Sequence, residues 1–585
     1  MVLTPMPPFV RILSRGYSPH LMAVESKNVK ISGTASAVKS RRQNEGFKSG
    51  GWWFFTAAAG LIIGLILLYH HFWPLMQQRC NSDNAIALLQ GQEIAAGNIL
   101  LKRWILPPDN LVTVDLPWYA VGVKMFGLNP WLMQGVPLAI FTCLLAVAIT
   151  AVAWGQRTHP HWLGLLVIVM WLGLASPGKK NPWLLEGPNH VGTTLNCLLA
   201  LLFLNGVMIA GRMTSTRVVA MLVAAAILTV LTVVGDPMAW ILIGGPVLAV
   251  AAMRWISRQA GRRDLVILGL VVNSAVGGLL LQSAVVRLGG FKIMWVLPTS
   301  FIHLQKLPAS VSLASANWLR LFSLRAAAQH QAIEAWLLIF RGVAAALVPV
   351  AIIATMLRLL RGREVPLLEA WLAVGAFLML VACVLSEQAY AAGRLQAHYE
   401  LPAFIFGIVL AARCVGRRVA DIQSFARPIT AVMVLVLLSG VPVVMQWFMW
   451  PPRVAASQRL ASWLDQRHLQ CGLSGYWSSF IVTMLSRDRV RLYAVNAHAQ
   501  RLCPKVSSVD PRWYSHPREP FTFYVFDRRG QDSYPILDRR VLKYPRGYLP
   551  PAVLHEFGRP AEQYHYHEYE IAVWKRPLRF THALR

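Results

Sequence analysis

Between the first two apolar runs of the chain lies a polar stretch of about 55 residues, far longer than a tight connection, and it carries Asp83, Glu93, Asp109 and Asp115. Acids are scarce elsewhere, with only 26 Asp and Glu among 585 residues. A carboxylate held at a membrane surface can take a proton from a hydroxyl, and ionisable side chains gathered on a loop above a rigid scaffold tend to carry function. Lys102, Arg103, Arg287, Arg320, Arg325 and Arg394 are candidates to balance negative charge growing on a leaving group. For Lys102 and Arg103, contact with lipid headgroups is the simpler role. Asp236-Pro237 joins two apolar runs with almost no loop. An ionisable group at such a boundary points to function, although Asp-Pro equally suits a turn. His190 follows Gly187-Pro188-Asn189 and opens another run at the same face, where an imidazole can meet a phosphate or a metal ion. Alone it makes no metal site, which needs several ligands. Asp83 also has a plain structural use, as N-cap of a helix starting at Asn84 or Ala85.

The elements that must position these groups are membrane helices. The chain is 56% hydrophobic and 14% charged, with a mean hydropathy of +0.47, too apolar for an ordinary soluble protein of this size. Runs at Trp52 to Trp73, Trp131 to Trp154, Val191 to Gly211, Leu265 to Val286 and Pro428 to Trp447 approach or exceed the ~20 residues that cross hydrocarbon as helix. Weaker runs lie at Trp162 to Leu174, Val218 to Gly235, Pro237 to Met253, Trp336 to Leu357, Leu367 to Leu385 and Tyr399 to Ala412. The expectation is an α-helical polytopic membrane protein of about eleven spans.

A net charge of +30 suggests nucleic acid until its distribution is read. With the N-terminus inside, the basic tail, Arg157, Arg212 and Arg217, Arg254 to Arg263, Arg358 to Arg363 and Arg413 to Arg418 all fall on the cytoplasmic side, as the positive-inside rule requires. Lys179 and Lys180 are the exceptions. The charge is thus explained by topology, with no nucleic-acid partner, and an odd span count puts the C-terminal region outside.

Three domains are expected: a disordered basic cytoplasmic tail over 1–50, with Met22 an alternative start; a membrane domain over 51–450, whose first outer loop covers 75–130; and an extracytoplasmic α/β domain over 451–585. In the last, Ala455 to Arg467 has the pattern of an amphipathic helix, and Val490 to Val495, Phe521 to Phe526 and His565 to Trp574 that of strands. His565 and His567 alternate as paired zinc ligands would, yet without a partner cluster they read as surface residues. Cys143, Cys197 and Cys383 lie within spans, where thiols behave as small apolar groups, and Cys471 with Cys503 forms a candidate pair on the outer side.

A short tail, one span, then an outer loop with Asp83-Asn84-Ala85 just past the membrane, a helix from Ala85 to Gly97 and a second acidic element, Asp115-Leu116-Pro117-Trp118-Tyr119, resembles the C-type (GT-C fold) multi-span glycosyltransferases, bacterial members of the protein O-mannosyltransferase group in particular. The resemblance covers Trp52 to Trp450. It implies a catalytic base at Asp83, with Asp115 as its partner or as a metal or acceptor ligand, and a sugar donor carried on polyprenyl phosphate. It also implies inverting transfer to a glycan, lipid or protein on the outer face of a bacterial-type cytoplasmic membrane. Arg394 and His398-Tyr399-Glu400-Leu401-Pro402 are similar to the family's Arg-Tyr-Leu-x-Pro lead into a late span, which implies phosphate and substrate contacts from Arg394, His398 and Tyr399. Asn84 stands where many members have a second acid, and Asp115 where a histidine or small residue is common. No cofactor is certain, a divalent metal ion being the one candidate.

Competing readings are a transporter or flippase for a lipid-linked glycan, which would bind substrate at mid-membrane, where only Asn205, Gln282 and Asn273 offer polarity, and a non-catalytic envelope assembly protein. The topology is open to test. Alkaline phosphatase fused after Arg585 is expected to be active and a fusion at Gly362 inactive; an inactive C-terminal fusion contradicts the arrangement.

Overall fold

The structure, a computed structural model, describes residues 81–154, 187–210, 215–294, 300–322, 324, 332–387, 397–421, 456–498, 501–505, 507–517, 519–530 and 543–580. All of these fall in one compact unit, Ala58–Arg585. The expected tail over 1–50, the runs at Trp52 to Trp73, Trp162 to Leu174 and Pro428 to Trp447, and Arg325 and Arg394 lie outside the described residues.

Helix α1, Ser82–Ala95, starts earlier than expected because Asn81, and not Asp83, caps it. The Asn81 side chain accepts from the Asn84 amide at 3.0 Å and the Asn84 side chain accepts from the Asn81 amide at 3.3 Å, the reciprocal pairing of a capping box. Asp83 is left in the first turn, its carboxylate uncommitted to the cap. The helix ends at Gly97, whose φ of +98° suits a residue without Cβ. Two helices follow in sequence: the short α2 at Leu116–Phe126 and, after a break at Gly127, the long α3 at Leu132–Ala153.

From there the described chain is mostly long apolar helix: α4 at Val191–Ile209, α5 at Thr216–Gly235, α6 at Gly245–Ile256, α7 at Arg262–Arg287, α8 at Leu307–Leu321, α9 at Ala332–Leu360, α10 at Leu367–Leu385 and α11 at Leu401–Asp421. Among the described residues seven helical stretches are long and apolar enough to cross a membrane: α3, α4, α5, α7, Arg341–Leu360 of α9, α10 and Ala397–Arg417. Each matches an expected run to within a few residues. The run at Pro237 to Met253 differs: it forms a π turn, Trp240–Gly244, running into the short α6. Pro246 has no N–H for the regular ladder there, and Gly245 instead donates to the Trp240 carbonyl.

The interior is close-packed around Leu144, Leu145, Leu198, Leu201, Leu372, Phe404 and Phe406, all buried, whereas Leu280 of α7 and Ile339, Val350 and Ile353 of α9 are exposed. Apolar side chains on the outside are what a lipid-facing surface requires, because nothing outside the helices there is water.

Among the described residues, ion pairs within the bundle lie at helix ends. At one end buried Glu369, in the first turn of α10, meets Arg413 of α11 at 3.2 Å, and Arg417 bonds its other oxygen. Arg413 also donates to the carbonyls of Ala151, Val152 and Trp154 at the end of α3, groups the helix itself cannot satisfy. At the same end Arg263 donates to the Met208 and Ala210 carbonyls that close α4. At the opposite end stand His190, which precedes α4, Asp236, which closes α5, His398, which leads into α11, and Asp115, which opens α2.

The C-terminal region is α/β. Helix α12, Ala456–Gln466, falls where expected. The six strands of its sheet run β3 Cys471–Ser474, β4 Arg491–His498, β5 Arg501–Pro504, β6 Phe521–Asp527, β7 Glu562–Tyr566 and β8 Tyr569–Leu578, in the order β5-β4-β3-β6-β8-β7. β3 is parallel to both β4 and β6, and α13, Tyr476–Leu485, forms the β3-to-β4 crossover. The expected strand over His565 to Trp574 is a hairpin. Its turn contains no glycine, and His567 takes φ +52° to make it, so the alternation pattern ran unbroken through the reversal. His565 bonds Glu570 and His567 sits in the turn, so the two do not share a strand face. Cys471 and Cys503 are both free; Cys471 is buried on β3 and its thiol donates to the Glu519 carbonyl at 3.1 Å. Two further strands, β1 Ile105–Leu106 and β2 Lys292–Ile293, pair in parallel near α1.

The Glu369 cluster generates a prediction. Arg413→Ala leaves a buried carboxylate with half its compensation and three carbonyls without donors, so stability in detergent is expected to fall by about 3 kcal/mol or more. Adding Glu369→Leu should recover part of the loss. A single variant that melts like wild type contradicts the assignment.

Candidate active site

The acidic loop is held against one helix end by backbone accounting. The last carbonyls of α5 have no partner in their own helix, and residues 110–113 supply them: Asn110 Nδ2 donates to Val234 at 3.0 Å, the Leu111 amide to Gly235 at 2.8 Å, and the Thr113 hydroxyl to Leu231. The fit needs a glycine at 235, where a Cβ would lie 2.6 Å from a Val114 methyl. This clamp brings Asp109 and Asp115 beside Asp236, the residue that closes α5.

Asp236 is buried and fully engaged. Its Oδ2 lies 2.7 Å from His190 Nδ1 and accepts from the Thr193 hydroxyl at 2.6 Å, and its Oδ1 accepts from the Met238 amide at 3.0 Å. His190 precedes α4 in a left-handed conformation, φ +58°. For a residue with a side chain that costs on the order of 1 kcal/mol or more, and the buried ion pair offsets it. The expected turn-forming Asp and lone histidine are thus partners.

Burial disfavours the imidazolium of His190, but Asp236, Asp109 and Asp115 outweigh it and raise the group to about 9. For Asp236, burial is overcome in the same way by His190 and the three hydrogen bonds, which hold the carboxyl below its usual range. Asp115 is pushed by burial, against the pull of His190 and with the repulsion of Asp236, up to about 7. Asp109 rises to about 6, chiefly by burial. A carboxyl near neutral in its proton affinity is suited to moving protons at physiological pH.

Asp115 stands at the N-cap of α2 yet makes no capping bond, and its Oδ1 is buried against the Gly192 backbone, which pulls its carboxyl slightly downward. The close approach of α4 makes this geometry: a Cβ at Gly192 would lie 1.8 Å from Asp115 Oδ1. His398 and Tyr399, which lead into α11, complete the cluster. Their ring centroids lie 6.1 and 5.5 Å from that of His190, with the two imidazoles nearly parallel at 12°.

Asp83 lies within electrostatic reach of Asp109 and is partly buried at the start of α1. Its Oδ1 accepts a hydrogen bond from the Tyr476 hydroxyl of α13. Burial raises its carboxyl, while Tyr476 and Lys505 pull in the other direction. Asn84 holds the loop to its surroundings by donating to the Met133 carbonyl at 3.2 Å and to that of Gly187.

The structure therefore brings together Asp83, Asp109, Asp115, His190, Asp236, His398 and Tyr399. It does not bring in Lys102 and Arg103, which are exposed on the turn after α1, where Arg103 takes φ +75°; no described interaction joins them to the cluster. Glu93 is at the far end of α1, accepting from Asn98 at 3.1 Å. Asp109 was marked from sequence only as one of the loop carboxylates, and Gly192, Thr193, Tyr476 and Lys505 were not singled out as site residues. Among the described residues no group of three His, Cys, Asp or Glu side chains is arranged to hold a metal ion.

No protein-family model matches the chain, and no curated protein does. Solved structures do. The chain is similar to ArnT from Cupriavidus metallidurans in the apo state, at 14% identity over 80% of this chain and 93% of that one, with a TM-score of 0.44. It is similar to the Archaeoglobus fulgidus oligosaccharyltransferase in complex with Zn and sulfate, at 13% identity over 80% and 68%, TM-score 0.45. To ArnT bound to undecaprenyl phosphate it is 12% identical over 82% and 94%, with a TM-score of 0.35.

The His190–Asp236 pair sets a pH dependence. Because the folded state holds His190 above its ordinary 6.5, at about 9, its contribution to stability is fully present below the ordinary value and is lost as pH rises through the higher one. Melting temperature in detergent is expected to fall across that window in the wild type. In Asp236→Asn the overall stability should drop by roughly 3 kcal/mol and the alkaline loss should shrink markedly, Asp236 being the largest of the groups that raise His190; an unchanged alkaline loss contradicts the pairing.

Proposed function

We propose that the protein is a multi-span glycosyltransferase that moves a sugar from a polyprenyl-phosphate donor to a hydroxyl of an envelope glycan, lipid or protein. The observation that carries this reading is the convergence, at one end of the helices, of the first-loop carboxylates Asp83, Asp109 and Asp115 with His190 and Asp236. Such a site lies where a lipid-linked donor presents its phosphate, and it combines the two things the transfer needs: a base for the acceptor proton and positive charge for the departing phosphate.

In this reading Asp83 takes the acceptor proton, being a partly exposed carboxylate that is held by Tyr476 and Lys505 and not by the His190 pair. His190 stays protonated at neutral pH between its carboxylates and, with Lys505 near Asp83, faces the negative charge of the leaving group. Asp115, buried against Gly192 at the start of α4, orients the acceptor or relays its proton. Tyr399 and His398 line the approach from the bundle side. Attack by the acceptor on the anomeric carbon, opposite the phosphate, inverts the configuration as the new glycosidic bond forms and the carbon–phosphate oxygen bond breaks. The membrane side is the outer face of the cytoplasmic membrane, by the distribution of Lys and Arg. A transporter would place its polar groups at mid-membrane, whereas here they gather at helix ends.

The test is Asp83→Asn. Because Asn81 supplies the cap, this change keeps the helix start intact and removes only the basic carboxylate. Transfer from a synthetic polyprenyl-phosphate sugar by the full-length protein in nanodiscs is expected to fall about 100-fold or more with the melting temperature little changed. Turnover near wild type would move the base to Asp115, and equal loss in Asp83→Asn, Asp115→Asn and Asp236→Asn would indicate groups acting as one unit.

A further inference from the structure

We infer that the C-terminal region is part of the catalytic machinery and that Tyr476 is a positioning residue for Asp83, fixing which carboxylate oxygen faces the acceptor. The inference rests on the reading of Asp83 as base.

Two consecutive residues of the first turn of α1 are gripped by one residue of α13, 393 residues away. The Tyr476 hydroxyl donates to Asp83 Oδ1, and the Tyr476 backbone carbonyl accepts from the Ser82 hydroxyl. The tyrosine ring is itself set in place by Trp477 and Phe480, at centroid distances of 4.9 and 5.6 Å, and by Lys505, whose Nζ stands 3.6 Å from the ring centroid. The two regions meet again at β1, where the Ile105 amide donates to the Val509 carbonyl at 3.0 Å and the Ser508 amide to the Ile105 carbonyl at 2.6 Å. Trp104 packs edge-on against Trp513, 5.2 Å between centroids. Docking is therefore secured by backbone pairing, an indole pair and the Ser82 bond, none of which needs the phenol hydroxyl.

The hydroxyl goes instead to Asp83, a partly exposed carboxylate of the site. A hydrogen bond to a charged acceptor is short and directional, so it fixes the carboxylate's rotation. It occupies Oδ1 and leaves Oδ2, which has no hydrogen-bond partner among the described residues, to receive the acceptor proton. The charged and titratable groups that bear on Asp83 are Tyr476 and Lys505 from the C-terminal region and Asp109 from the loop. On its own helix the other acid, Glu93, is ten residues on, roughly 15 Å by helical rise. With Tyr476 withdrawn, burial and Asp109 would act on Asp83 with less opposition, and the carboxylate would hold its proton to higher pH.

The test uses Tyr476→Phe in the full-length protein in nanodiscs, with Ser82→Ala as the companion. The phenylalanine keeps the ring and the backbone carbonyl, so docking persists and only the bond to Asp83 is lost. Two readouts are taken across pH: transfer from a synthetic polyprenyl-phosphate sugar, and modification of Asp83 by a hydrophobic carbodiimide, which reacts with the protonated carboxyl, mapped by mass spectrometry. Tyr476→Phe is expected to lower kcat about 10-fold, the scale of one hydrogen bond to a charged group, with KM for the donor unchanged. The acid limb of activity and the carbodiimide midpoint should move up together by about one pH unit, and neither should move in Ser82→Ala. An unmoved midpoint overturns the inference while leaving the function proposed above intact. A moved midpoint with transfer unaffected shows that the tyrosine governs Asp83 but that Asp83 is not the base, and sinks both.

Discussion

The buried ion pair between His190 and Asp236 is the constraint around which the site is organised. Two charged groups taken out of water are costly unless each is compensated, and here the compensation is close to complete: Asp236 accepts from His190, Thr193 and the Met238 amide. That arrangement fixes the end of α5 against the start of α4 and forces His190 into a left-handed backbone conformation. Once those two ends are fixed, the carbonyls that terminate α5 become the docking points for residues 110–113. The placement of Asp109 and Asp115 then follows from the chain between them.

The charge balance of the cluster has a chemical consequence. Asp109, Asp115 and Asp236 share one imidazolium, so they cannot all remain ionised at little cost. Asp236, with the hydrogen bonds, stays charged, and Asp115, buried near it with less compensation, is the one pushed to about 7. Asp83 stands apart from this competition because Tyr476 and Lys505 reach it from the C-terminal region. One end of the helices thus offers carboxylates of different proton affinity around a cation, while the opposite end uses Glu369 with Arg413 and Arg417 only to tie helices together.

How much of this was legible in the sequence depended on whether the signal was local. Seven apolar stretches fell close to their expected bounds because length and hydropathy alone decide a span. The segment at Trp240 did not, since Gly244-Gly245-Pro246 disturbs the ladder without lowering hydropathy. Asp83, Asp115, His190, Asp236, His398 and Tyr399 could be picked out as boundary groups or motif residues, yet His190 and Asp236 were read singly. Their partnership crosses 46 positions and leaves no periodic trace. The cap offered as the alternative role of Asp83 falls to Asn81, because Asn81-Ser82-Asp83-Asn84 has four residues able to cap and only the Asn81–Asn84 reciprocity decides among them. Tyr476 and Lys505 had no signal at all, being ordinary residues of an α/β region until packing brings them to α1.

The central claim is that this cluster consumes a polyprenyl-phosphate sugar. The most direct measurement compares, by mass spectrometry, the lipid extracts of cells with the protein and of cells lacking it. The account predicts that a polyprenyl-phosphate sugar accumulates in the absence of the protein and returns to its normal level when the wild-type chain is restored. Extracts with the same polyprenyl-phosphate species at the same levels in both strains would contradict it.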